Sequence, residues 1–203
     1  MKKILVSALA VVLAGTQFSF RSGGEMLPLG AQAPLTDYQM KGIDGQEHSL
    51  ADLKEKNGLL VIFSCNTCPF VLAWEETFPS VEQWANDAEV GLVWVNSNTR
   101  KRDGEDSMAA MKEHAPEAGY QSPYVVDAQN KLADAFGAKT TPHVFLFDDD
   151  MTLVYRGSID NKYENKSKVA DKFYLQEALK QLAASEKINP DDTREIGCSI
   201  KRV

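Results

Sequence analysis

The chain has 203 residues, 43% of them hydrophobic and 25% charged, which excludes a disordered chain and fits one fully cored domain but not two of ordinary size. Its 22 Lys and Arg against 29 Asp and Glu leave a net charge of −7, which argues against nucleic acid as a partner, because that affinity rests on clustered cations. Three cysteines are too few for a disulfide-stapled miniature scaffold, yet two of them, Cys65 and Cys68, stand three apart, and the third, Cys198, is distant.

Met1, Lys2 and Lys3 precede an apolar run from Ile4 to Ala14 that only Ser7 interrupts, the pattern of a secretory signal peptide. Residues 1–20 are assigned to it. A bilayer-spanning helix needs about 20 apolar residues, and Gly15, Thr16 and Gln17 break this run; a retained membrane anchor is the alternative. No cysteine lies nearby, so a lipid-anchored lipoprotein is excluded. The expectation is a periplasmic or secreted protein with no membrane span after cleavage, in a compartment where a cysteine pair can persist as a disulfide. Without Lys2 and Lys3 the net charge becomes −9, a solubility property that fixes no partner.

Residues 21–33 are Gly-rich and unpatterned and read as a flexible leader, with order expected from Pro34 and one domain over 34–187. Asp37 to Met40 and Glu47 to Ser49 flank Gly42, Asp44 and Gly45, a hairpin signal. Gly58 to Phe63 is a continuous apolar run suited to a strand buried on both faces. Val71, Trp74, Phe78, Val81 and Ala85 fall on one helical face, which Pro79 is expected to distort. Val90 to Val95 is a second buried strand, so strand, helix and strand make a βαβ unit with parallel pairing. Met108, Met111 and Ala115 mark a short helix, Tyr124 to Val126 a brief strand, and Asn130 to Phe136 a helix stopped by Gly137. Strands His143 to Phe147 and Leu153 to Arg156 form a hairpin turned by Asp148 to Asp150. Leu175, Ala178, Leu179 and Leu182 line a final helix. The tail, residues 188–203, has no periodicity. This order predicts an α/β sandwich with a mixed central sheet and helices on both faces.

Cys65-Asn66-Thr67-Cys68-Pro69 stands where a buried strand hands over to a helix. A thiol at a helix N-terminus faces unpaired N–H groups and the positive end of the macrodipole, which favour the thiolate and are expected to depress its pKa. Cys65 is the expected nucleophile; Cys68, one turn further in, is placed to resolve a mixed disulfide. Zinc needs three or four ligands, and His48, His114 and His143 show no ligand spacing; no metal or cofactor is expected. A static disulfide across so short a loop would stabilise little. The acidic run Asp148 to Asp150 and the segment Asn96 to Asp106 lack the alternating ligands of a calcium loop and are expected to be turns and solvated faces.

The strand-Cys-x-x-Cys-helix unit, Thr141-Pro142 entering a strand, and the hairpin after it resemble the thioredoxin fold. More closely, the chain resembles the redoxin group related to alkyl hydroperoxide reductase and thiol-specific antioxidant proteins, the peroxiredoxin-like members of the thioredoxin family. The resemblance is carried by Leu60 to Phe70, Val95 to Asn98, Glu105 to Ser107, Thr141-Pro142 and Gly197 to Lys201, and runs from about Gly30 to the C-terminus. It implies a cis Thr141-Pro142 bond beside the cysteines, where an extended substrate segment can pair.

Peroxidatic peroxiredoxins carry a Pro-x-x-x-Thr/Ser-x-x-Cys pattern. Upstream of Cys65 the corresponding positions are Gly58 and Ile62, and upstream of Cys68 they are Val61 and Cys65, so efficient peroxide reduction is not supported. The buried acid of thioredoxin has no counterpart in Leu59 to Phe63; Glu75 or Glu76 is the candidate to substitute for it from the helix, against the reading of both as solvated helical charges, and the proton acceptor for Cys68 is unassigned. Three roles suit Cys198: a further redox partner docked over Cys65, an interchain pair, or a buried apolar residue. The leading expectation is an exported thiol-disulfide oxidoreductase that exchanges electrons with protein thiols and disulfides and with a redox partner protein. The alternatives are a thiol-dependent peroxidase, a copper-handling protein of the Sco type using the cysteines with His143, and a redox-inactive binding module.

Overall fold

A computed structural model describes residues 24–164 and 169–203. The expected signal peptide, residues 1–20, and the start of the leader lie outside the described residues. Among those described, no helix is long and apolar enough to cross a membrane.

The N-terminal hairpin is β1 (Met40–Gly42) and β2 (Glu47–His48). It is followed by a short helix not foreseen in the sequence, α1 (Leu50–Leu53). The signal for it was present: Ser49 and Asp52 form a reciprocal capping box, the spacing that satisfies two orphan donors at a helix start. Strand β3 (Leu59–Ser64) then leads to α2 (Pro69–Trp74) and α3 (Phe78–Asp87), separated by a 3₁₀ turn at Glu75–Thr77. The single apolar face holds across the break, with Val71, Trp74, Phe78, Val81 and Ala85 all buried. The interruption falls just before Pro79, whose ring and missing N–H disfavour a continuous ladder there.

Strand β4 (Gly91–Asn96), α4 (Met108–Glu117), β5 (Tyr124–Val126) and α5 (Lys131–Phe136) follow. Gly137 caps α5 at φ 61°, a left-handed position that glycine takes without steric cost. The chain ends with β6 (Thr140–Thr141), β7 (His143–Phe147), β8 (Leu153–Gly157), α6 (Tyr174–Ala183) and β9 (Cys198–Ser199).

The main sheet has the order β2-β1-β5-β4-β3-β7-β8. β4 runs parallel to β3 and β5, while β7 is antiparallel to β3 and β8, so the sheet is mixed. Because side chains alternate along a strand, β3 divides its residues between two cores. Leu60 and Ile62 pack with Val71, Trp74, Phe78, Met111 and Leu175 on the face of α2, α3, α4 and α6. Leu59, Val61 and Phe63 pack with Leu50, Leu132 and Phe136 on the face of α1 and α5. Both cysteines of the Cys-x-x-Cys segment belong to the first core.

The expectation of a flexible leader needs correction. The leader is tied down before Pro34: Leu27 is buried and donates its N–H to Phe136 at 2.9 Å, and Gly30 and Ala33 donate to Leu153 and Met151. The unpatterned tail is also ordered against the domain, because β9 pairs with β6 in a separate two-stranded sheet. Two residues are too few to show a period.

Candidate redox site

The site is built where β3 ends. Ser64 closes the strand, Cys65 to Thr67 make a turn, and Cys68 is the N-cap of α2, with Pro69 at the first helical position. Proline suits that position because its missing N–H would have had no intrahelical partner. Cys68 gives its carbonyl to the Leu72 N–H at 3.0 Å, so its backbone already belongs to the helix. Cys65 is 2% and Cys68 5% exposed.

Thr141 brings the sulfurs together. Its hydroxyl lies 3.2 Å from Cys65 Sγ, and its carbonyl oxygen lies 3.2 Å from Cys68 Sγ. The Thr141-Pro142 peptide is cis, as the resemblance implied. β6 places Thr141 opposite Cys198 in an antiparallel register. Cys198 is bonded to Cys68 with a Cα–Cα distance of 6.1 Å, while Cys65 is a free thiol. The residue before Cys198 is Gly197, where a Cβ would collide with the Thr141 carbonyl; the tail reaches this depth because that side chain is absent.

Beside the cysteines, where the sequence predicts turns and solvated faces, lies a buried polar network. Asp106 is fully buried, as are Asn96, Ser97 and Asn98. One Asp106 carboxylate oxygen accepts from the Asn66 backbone N–H at 2.9 Å and from Asn96 Nδ2 at 2.8 Å. The other accepts from Asn98 Nδ2 at 2.9 Å. Tyr124 bridges, donating to Asn66 Oδ1 at 2.9 Å and accepting from Asn96 Nδ2 at 2.8 Å. Arg102 reaches in from the following loop to bond Asn96 and the Asp106 backbone carbonyl. Asn98 Oδ1 in turn accepts from the Lys201 N–H at 2.8 Å, and Lys201 accepts from Arg100 N–H at 3.0 Å. Buried polar groups must find such partners, and here those partners hold the cysteine turn at one end and the tail at the other.

This environment corrects the expected thiol chemistry. Burial pushes the Cys65 thiol up, and the Asp106 charge adds to that; the Thr141 hydroxyl and the backbone N–H groups of Cys68 and Thr67 oppose it without prevailing. The helix begins at Pro69 with Cys68 as its cap, so Cys65 sits upstream of the dipole rather than on it, and desolvation of a thiolate raises its pKa.

His143 lies on the other side of the sheet. It is fully buried, its ring packs on Phe145 at 4.5 Å, and its Nδ1 accepts from the Lys139 N–H at 3.2 Å. Phe145 belongs to the core opposite the cysteines, so this geometry gives no support to a ligand set of both cysteines and His143. Among the described residues, no group of three or more Cys, His, Asp or Glu could hold a metal ion. Glu75 is not a solvated charge: its Oε1 lies 3.2 Å from His114 Nε2, and both are largely covered. Glu76 is exposed beside Lys162.

A family model described as Redoxin matches residues 28–173. A crystal structure of an uncharacterized conserved protein from Geobacillus kaustophilus is 33% identical with a TM-score of 0.80, covering 88% of this chain and 94% of that one. A hypothetical protein from Sinorhizobium meliloti 1021 is 27% identical, also with a TM-score of 0.80, covering 90% of this chain and 99% of that one. A thiol:disulfide interchange protein DsbE from Chlorobium tepidum, described as putative, shares the fold at 17% identity and a TM-score of 0.56, covering 78% and 97% of the two chains. No curated protein matches.

Proposed function

Because this chain belongs to the redoxin family, we propose that it is an exported thiol-disulfide oxidoreductase that exchanges electrons with protein cysteines through Cys65 and Cys68. The supporting observation is that both sulfurs meet Thr141, on a strand edge that already pairs with an extended cysteine-bearing segment. In the reducing direction, Cys65 as thiolate attacks a substrate disulfide, forming a mixed disulfide and releasing one substrate thiolate. Cys68 then attacks Cys65 Sγ, releasing the second substrate thiolate. The Thr141 hydroxyl is placed to donate to the Cys65 thiolate, and the Thr141 backbone offers the substrate strand its hydrogen bonds. Cys65→Ser should abolish insulin-disulfide or model-dithiol exchange; full exchange by that variant would overturn the reading.

A further inference from the structure

We infer that Cys198 is a third catalytic thiol, which takes the oxidised state from the Cys65 and Cys68 pair onto a Cys68–Cys198 disulfide and carries it to the surface. The inference rests on the exchange reading above and assigns the route that its electrons follow.

Three observations carry it. Cys68, the expected resolving thiol, is already bonded to Cys198, and Cys65 is left free beside the same threonine. β9 sits on β6 with Cys198 opposite Thr141, so the chain's own end occupies the edge where a substrate cysteine would pair. The cysteines also differ in access: Cys65 and Cys68 are buried, whereas Cys198 is half-buried. Of the two residues in the bond, Cys198 is the more exposed, on the side from which an outside thiol approaches in the relay.

The transfer is an internal exchange. In the Cys65–Cys68 form, the Cys198 thiolate attacks Cys68 Sγ. A Cys68–Cys198 bond forms, the Cys65–Cys68 bond breaks, and its electron pair leaves on Cys65, which takes up the proton that Cys198 gave up. No electron enters or leaves the chain. Two equivalents of a low-molecular-weight thiol then reduce the new disulfide, the first attacking Cys198 Sγ and releasing Cys68, the second freeing Cys198 as the symmetric small-molecule disulfide departs.

The test uses the full chain, reduced to three thiols, mixed with one equivalent of insulin disulfide, quenched in acid at intervals, alkylated and mapped by mass spectrometry. A Cys65–Cys68 species that rises and decays into Cys68–Cys198 with Cys65 alkylated is expected. An end state of Cys65–Cys68 with Cys198 alkylated would overturn the relay while leaving the exchange reading intact. Formation of Cys68–Cys198 at the same rate in Cys65→Ser would also overturn the relay, as a staple made without Cys65. Absence of any oxidised pair would sink both readings. In Cys198→Ser, the Cys65–Cys68 form should accumulate and steady-state turnover with glutathione as reductant should fall at least about tenfold; unchanged turnover counts against the relay. Because the wild-type time course involves no substitution, a folding defect in a variant does not decide the outcome.

Discussion

Replacing Asp106 with Asn tests whether the buried network holds the site. The carboxylate accepts three hydrogen bonds, from the Asn66 N–H, Asn96 Nδ2 and Asn98 Nδ2. An amide can keep only some of them: with its oxygen toward Asn66 and Asn96, its NH₂ confronts the NH₂ of Asn98. One hydrogen bond to a charged group is worth about 1.5–3 kcal/mol. Arg102, half-buried and drawn to the Asp106 charge, loses that attraction too, although its own hydrogen bonds go to the Asp106 backbone carbonyl and to Asn96 and stay in place. The two effects overlap, so a loss of about 3 kcal/mol is expected, or roughly 6–12 °C in Tm for a domain of this size. Circular-dichroism melts measure this. The Cys65 thiol supplies a second readout. The Asp106 charge raises its pKa, so the variant should move it down, followed by iodoacetamide alkylation of reduced protein across pH. Asn98→Ala is the control, because it removes one of the same bonds but keeps the charge: its Tm should fall while the thiol stays in place. A Tm for Asp106→Asn within 2 °C of wild type, or a thiol pKa that rises, would refute the assigned role.

Two further outcomes follow from named contacts. Thr141→Val keeps the backbone and removes the hydroxyl 3.2 Å from Cys65 Sγ, a group that lowers the thiol pKa; with that hydrogen bond gone the pKa should rise, slowing alkylation near neutral pH. His143 is held down to about 3 by burial first, then by Lys139 and Arg156. It is therefore neutral in the fold, whereas the unfolded chain binds a proton below about 6.5. Its contribution is full above that pH and is lost at about 1.4 kcal/mol per unit as pH falls toward 3. Urea unfolding at several pH values should give His143→Gln a shallower acid limb than wild type. The difference between the two curves isolates this residue from His114, which acts in the same sense, and from Asp127, which burial raises and which acts in the opposite one.

The central sheet was readable because its strands are long apolar runs between turn residues. Leu59–Ser64, Gly91–Asn96 and His143–Phe147 are buried throughout, and burial on both faces imposes that composition. The helix stripes were readable for the same reason. Legibility failed where structure rests on polar pairing. Asn96, Asn98 and Asp106 look like a solvated loop because the residue types that fill loops also satisfy one another when buried, and nothing local distinguishes the two cases. Glu75 was misread in the same way: its partner, His114, is 39 positions away. The Cys-x-x-Cys spacing located the site and suggested its nucleophile. It could not show that the structure bonds Cys68 to Cys198, because that bond depends on how a two-residue strand docks.

That docking is finely balanced, which gives the disulfide its leverage over the site. Beyond the covalent bond, residues 198–202 are held by pairing with β6, by Ile200 N–H to the Lys139 carbonyl at 3.0 Å, by Lys201 with Asn98 and Arg100, and by Arg202 to Asp134 at 2.8 Å and to the Ala138 carbonyl. At about 1 kcal/mol per hydrogen bond, these contribute about 6 kcal/mol, and burial of the Ile200 side chain adds about 2 kcal/mol. Ordering the backbone from Cys198 to Arg202 costs about 1–2 kcal/mol per residue, which offsets nearly all of it. Glycine at position 197 adds to that cost, since it loses the most conformational freedom on ordering, yet a larger residue would strike Thr141. With the Cys68–Cys198 bond closed, the tail covers the Thr141 edge. With it reduced, the remaining contacts sit near zero net free energy, and the edge opens to a competing strand. The bond that stores the oxidised state in the proposed relay is thus also the one that decides whether the substrate's place is occupied.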